Sequence, residues 1–156
     1  VGAIYDPLRD ELFTAVDGEG ARLNGHVISV SAVDDLSKSV VATGVPYDHD
    51  QYADGLAVVV REMLREVNGI RRFGSAALDL AWVAAGRYEG YWELGIAPWD
   101  GAAGLLIVRE AGGVVTDPYG RPSTPFRPLV VASNGLVHQE FRTIVESWMP
   151  MHLIDP

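Results

Sequence analysis

Between Asp54 and Glu66 the apolar residues Leu56, Val59, Val60, Met63 and Leu64 recur at helical spacing and fall on one face. Asn68-Gly69 supplies the stop. Elsewhere the apolar residues come in short runs of strand length. Ala3-Ile4-Tyr5, the run from Glu11 to Val16, and Val27-Ile28-Ser29-Val30 are separated by turn residues at Asp6 to Asp10 and Asp17 to Gly20. This opening reads as an antiparallel meander. The run from Ser39 to Thr43 predicts a buried strand ending at Gly44-Val45-Pro46. Ile70 to Phe73 predicts a short strand. Ser75 is then placed to cap a helix reaching Ala85, with Gly86 as its stop.

Tyr88 to Glu93 reads as a strand with aromatic and polar residues alternating. A helix is predicted from Asp100 to Ala111, closed by Gly112-Gly113, followed by strands at Val114 to Thr116 and Leu129 to Ser133. Asn134 is placed to cap a last helix to Trp148, with Val137, Phe141, Val145 and Trp148 on one stripe. Residues 149–156 read as a tail. Strands alternate with helices after the meander, with no repeat, low-complexity block or linker. The expected class is α/β, in its layered α+β form, with a mixed β-sheet flanked by helices, in one domain over residues 1–148.

Composition narrows the function classes. The 156 residues contain no cysteine, which excludes disulfides, thiolate metal sites and a cysteine nucleophile. No apolar run approaches a membrane span, and the start has no signal-peptide pattern, so a cytoplasmic protein with no membrane partner is expected. The formal net charge of −9 opposes nucleic-acid binding, for which Arg71-Arg72 is a weak counterweight. An acidic protein can still take a phosphate ester if a cation bridges the two. The histidines His26, His49, His138 and His152 have no metal-ligand spacing and read as surface or loop residues, and no Gly-rich loop follows the nucleotide-binding patterns. Asp48-His49-Asp50 reads as a solvated turn. Trp82, Trp92 and Trp99 read as core residues. Asp79 lies on the second helix, within reach of a site or in a buried hydrogen-bonding role.

The most informative stretch runs from Pro98 to Gly113. Asp100 stands at a helix start, where free amides and the helix dipole stabilise an anion. Gly101, Ala102, Ala103 and Gly104 keep the first turn narrow, so a ligand or another backbone can come close. On these grounds Asp100 is an N-cap, a metal ligand, or both, and a plain capping aspartate on a tightly packed helix is the commoner case.

Trp99-Asp100-Gly101-Ala102-Ala103-Gly104, with Glu110-Ala111-Gly112-Gly113, resembles the second signature of the inositol monophosphatase family. Tyr5-Asp6-Pro7, Glu11 to Ala15, Gly20-Ala21, Asn24-Gly25, Thr43 to Pro46, Arg72 to Leu80 and Ala84 to Glu93 resemble the same family in the same order. The resemblance runs from Gly2 to about Trp148. It implies the carboxy-terminal half of the sugar-phosphatase fold, and a phosphomonoesterase that uses Mg²⁺ to hydrolyse inositol monophosphate or a related sugar phosphate. Fructose bisphosphate, histidinol phosphate and phosphoadenosine phosphate are the alternatives among related enzymes. The roles it implies are catalytic metal ligand for Asp100, pocket lining for Gly74, Ser75 and Ala76, and contact with substrate hydroxyls for Glu93. Those roles suit the residue types, since a carboxylate accepts two hydroxyl hydrogen bonds and a turn of small residues fits a flat polyol ring.

The family's first signature, Asp-Pro-x-Asp-Gly-Thr, is not found: Asp6-Pro7, Asp117-Pro118 and Asp155-Pro156 all lack the continuation. The expectation is therefore an amino-terminal half missing from this sequence, little activity without it, and pairing either with that half or with a second copy. The second possibility is a non-catalytic domain that binds a polyol phosphate or a protein.

Overall fold

The computed structural model describes residues 1–46, 49–127 and 129–148. Asp48 and the expected tail at 149–156 lie outside the described residues. Strands β1 (Gly2–Asp6), β2 (Glu11–Val16), β3 (Gly20–Leu23) and β4 (His26–Ile28) form an antiparallel meander in that order. β3 is the strand that the apolar runs did not announce, because Gly20, Ala21 and Arg22 carry no strand preference of their own. It exists because Ala21 and Leu23 pair with Ala15 and Phe13 of β2.

The second sheet is built from β5 (Val40–Thr43), β6 (Gly69–Arg71), β7 (Gly90–Leu94), β8 (Val114–Thr116) and β9 (Leu129–Ser133). Its order is β6-β5-β7-β9-β8, with β5 parallel to β6 and β7, and the remaining pairs antiparallel. The expected mixed sheet is therefore present. Among the described residues there are four α-helices, α1 (Ala53–Glu66), α2 (Ala76–Ala84), α3 (Pro98–Glu110) and α4 (His138–Glu146).

Strand alternation places the helices. Tyr91, Val130, Ala132 and Ala42 point to one side of the mixed sheet, and Trp92, Leu129, Val131 and Val41 to the other. The first group joins α2, α3 and the meander in one apolar cluster, so α2 and α3 lie between the two sheets. The second group joins α1 and α4 on the outer side. With both faces covered, the central strands read as near-continuous apolar runs.

Four details differ from the sequence expectation. Pro98 takes the first helical position of α3, where its missing N–H costs nothing, so the helix starts two residues early. Asp100 is accordingly in the first turn, not at the cap, and its own N–H donates to the Ala97 carbonyl at 3.0 Å. Trp99 is 84% exposed and Leu64 is 66% exposed, so neither is a core residue. Asn134 sits upstream of α4 and holds the turn before it, its Oδ1 accepting from the Leu136 and Val137 N–H groups.

His138, one of the residues expected on the surface, is buried at the start of α4. Its ring nitrogens lie 2.9 Å from Thr116 Oγ1 and 2.8 Å from Ser133 Oγ, tying α4 to β8 and β9. Burial, helped by Arg142, lowers its pKa from 6.5 to about 4. The unfolded chain takes up a proton near pH 6.5 that the folded chain refuses until about pH 4. The stability this neutral ring confers is thus complete above pH 6.5 and is lost as the pH falls toward 4. Between pH 7 and 4.5, chemical denaturation should show a fall in stability about 2–3 kcal/mol larger for the wild type than for His138→Gln. Equal falls would contradict the role given to His138.

Candidate active site

The carboxyl ends of the parallel strands β5, β6 and β7 open on one side of the sheet, the place where layered α/β proteins hold ligands. Gly44, Val45 and Pro46 follow β5, Arg72 and Gly74 follow β6, and Glu93 stands near the end of β7. The amino-terminal turns of α2 and α3 reach the same place through Ser75 and Ala76, and through Asp100. Together they line a cleft of about 430 Å³. Gly74, Ser75, Ala76, Glu93 and Asp100, the five residues singled out in the sequence, all line it.

Each is placed by local chemistry. Gly74 has φ +84°, a conformation that side chains resist, and lets the chain turn from β6 into α2. Ser75 caps α2, its Oγ accepting from the Leu78 N–H at 3.4 Å. Thr43 of β5 is in register with Trp92 of β7, so Gly44 falls beside Glu93, where a Cβ would overlap the Glu93 carboxyl. Asp100 is exposed, and no hydrogen bond or ion pair fixes its carboxylate to another described residue.

The cleft wall is acidic. Tyr91 and Glu93 sit two apart on β7 and share a face, and the Tyr91 hydroxyl donates to Glu93 Oε2. Burial raises the Glu93 pKa; the Tyr91 bond opposes the rise, Asp100 adds to it and Arg72 subtracts from it. Burial, then the charge of Glu93, raises Asp79 to about 7. Burial, then Glu93, raises Tyr91 as well, so the phenol stays protonated and remains a donor. Gly44, Arg72 and Tyr91 were not marked as cleft residues in the sequence. The i, i+2 spacing of Tyr91 and Glu93 was the available signal for Tyr91; Arg72 and Gly44 depend on strand order, which the sequence does not print.

Two helix starts favour an anion in the cleft, yet among the described residues three carboxyl groups face it against the one guanidinium of Arg72. A phosphate would therefore need a cation beside it. Asp100 is a suitable oxygen donor for a hard cation. Among the described residues, however, no group of three His, Cys, Asp or Glu side chains is placed to hold a metal ion. The cleft as described does not offer a complete donor set.

The family model for the inositol monophosphatase family matches residues 1–148. This chain belongs to the inositol monophosphatase family. The Nus factor SuhB of Escherichia coli K12 is 48% identical over 134 residues, covering 86% of this chain and 50% of its own length. The inositol-1-monophosphatase of Synechocystis is 46% identical over 140 residues, covering 90% of this chain and 49% of its own. Among solved structures, the inositol monophosphatase from Anabaena superposes with a TM-score of 0.89 at 41% identity, over 96% of this chain and 60% of that one. The chain thus spans about half the length of the curated relatives it matches.

The family signature divides into two parts in this fold. Asp100 faces the cleft, while Glu110 holds the β2–β3 turn by accepting from the Gly18 and Gly20 N–H groups at 3.0 and 2.8 Å. Gly113 packs so closely that a Cβ would lie 2.7 Å from the Ser133 carbonyl oxygen. The second half of the signature is therefore architectural. No helix among the described residues is long and apolar enough to cross a membrane.

Proposed function

We propose that the cleft is the substrate-binding half of a Mg²⁺-dependent phosphomonoesterase site for inositol monophosphate or a related sugar phosphate. The observation that carries the reading is the meeting of Gly74, Ser75, Ala76, Glu93 and Asp100 in one cleft at two helix starts. In this reading the small-residue turn at Gly74 to Ala76 seats the ring and Glu93 accepts from its hydroxyls, held in place by Tyr91. Asp100 would hold Mg²⁺ through one carboxylate oxygen, and the other ligands would have to come from residues other than those described. Bound there, the ion would supply charge neutralisation and an activated water for hydrolysis of the ester, in which water's oxygen joins phosphorus and the polyol leaves with a proton.

The relatives named inositol-1-monophosphatase support a phosphatase role. Joined to a family amino-terminal half, the chain is expected to release phosphate from inositol 1-phosphate with Mg²⁺. In that completed protein Glu93→Gln should raise KM about 10-fold with kcat changed less than about threefold, the loss of one charge-assisted hydrogen bond. A fall in kcat with KM unchanged would remove Glu93 from substrate binding.

A second reading has one observation behind it: the E. coli relative is named a Nus factor. A non-catalytic binding domain would bind its ligand or partner equally well after Asp100→Asn and would release no phosphate when completed.

A further inference from the structure

Four acids among the described residues are more than nine-tenths buried: Asp6, Asp79, Glu89 and Asp117. Three of them have donors. Asp6 accepts from the Leu8 N–H at 3.0 Å and from Arg9 Nη1 at 2.8 Å. Glu89 accepts from the Val40 N–H at 2.6 Å. Asp117 accepts from the Tyr119 and Arg121 N–H groups and from Arg121 Nε. Asp79 is 1% exposed, and its Oδ1 is buried with no hydrogen-bond partner. Leaving such a group unpaired is costly, and native chains do so rarely.

The unpaired carboxyl is not in a remote part of the core. It lines the cleft, close enough to Glu93 for the two charges to act on each other. A group arriving with a ligand in the cleft would supply the missing partner. Repulsion from the acidic wall excludes a phosphate oxygen at this point. A hydroxyl fits in either protonation state, since it donates to a carboxylate and accepts from a carboxylic acid. Tyr91 occupies Glu93 Oε2, which leaves Oε1 for one ligand hydroxyl and Asp79 for another.

We propose that Asp79 is a second polyol-reading residue, whose carboxyl takes one ring hydroxyl of the inositol or sugar that Glu93 also holds. Asp79 then selects esters of polyols over phosphate esters without ring hydroxyls. This rests on the phosphatase reading for the nature of the ester, but the polyol contact can be measured without turnover.

The test is the dissociation constant of myo-inositol for residues 1–156, by ligand-observed NMR, with wild type, Asp79→Ala and Asp79→Asn, and with a set of single deoxy-inositols. Asp79→Ala is expected to weaken myo-inositol about 10-fold or more, the worth of one hydrogen bond to a charged group. One deoxy-inositol should bind the wild type about 10-fold more weakly than myo-inositol and lose nothing further in Asp79→Ala. A merely structural role would leave the ranking of the deoxy compounds unchanged. Asp79→Asn keeps the shape and one acceptor. If Asp79→Ala does not fold, Asp79→Asn should still shift that ranking the same way by about threefold. Unchanged affinity and ranking in the variants overturn the proposal and leave the phosphatase reading standing. No binding of myo-inositol by the wild type also overturns it, and phosphate release by the completed protein then decides whether the phosphatase reading falls too.

Discussion

Asp100→Asn in the completed protein is expected to lower Mg²⁺-dependent phosphate release at least about 100-fold. The melting temperature should stay within about 2 °C of the wild type. Asparagine keeps the size and one oxygen but not the charge that a hard divalent cation requires. Stability is untouched because Asp100 is exposed and its side chain holds no described residue. The plain alternative, a capping aspartate, predicts the opposite pair of results: activity kept and about 1 kcal/mol of stability lost. That alternative is already weak, since Ala97 occupies the cap position and Pro98 opens the helix. Raising the Mg²⁺ concentration should recover part of the lost rate if the defect lies in metal binding.

The second large effect is on the fold. A Cβ at Gly104 would lie 2.6 Å from Leu80 Cβ and 2.7 Å from Leu80 Cδ1, and Leu80 is fully buried. Neither helix can shift freely, because α2 and α3 are held between two sheets. Gly104→Val should therefore cost about 3 kcal/mol, the upper range for overpacking, and lower the melting temperature by roughly 6–12 °C. Gly101, one turn earlier on the same helix, makes the contrast. Its Cβ would come closest to the tip of the Ile96 side chain, 3.1 Å from Cδ1, which can turn aside, with the other neighbours at ordinary contact distance. Gly101→Ala should be neutral or slightly stabilising, because alanine is favoured over glycine in a helix by about 1 kcal/mol. Equal melting temperatures for the two variants would contradict the packing described between α2 and α3.

Periodicity made most helices and strands legible. The α1 stripe, the buried runs of β5 and β9, and Ser75 and Gly86 at the ends of α2 are all local signals. What periodicity could not show is pairing. The insertion of β7 between β5 and β9 joins residues far apart in sequence, and that insertion is what sets Gly44 beside Glu93. The start of α3 two residues ahead of Asp100 has a local cause: proline suits the first helical position, and Pro98 takes it. Trp99 shows the limit of residue type as a guide to burial, since a tryptophan on the first turn can stand wholly outside the core. At the cleft, the resemblance to a family named five of the lining residues. It did not single out Asp79, whose significance is a missing partner, and a missing partner is a property of three-dimensional packing alone.

Phosphate release from inositol 1-phosphate, with Mg²⁺ and with the metal chelated, by residues 1–156 alone and by the completed protein, tests the central claim most directly. The expected result is Mg²⁺-dependent release by the completed protein, lost in Asp100→Asn, and no release by residues 1–156 alone. Mg²⁺-dependent release by residues 1–156 alone, or full activity of the completed protein with Asn at position 100, would contradict the reading of this cleft as a half-site with Asp100 as its metal ligand.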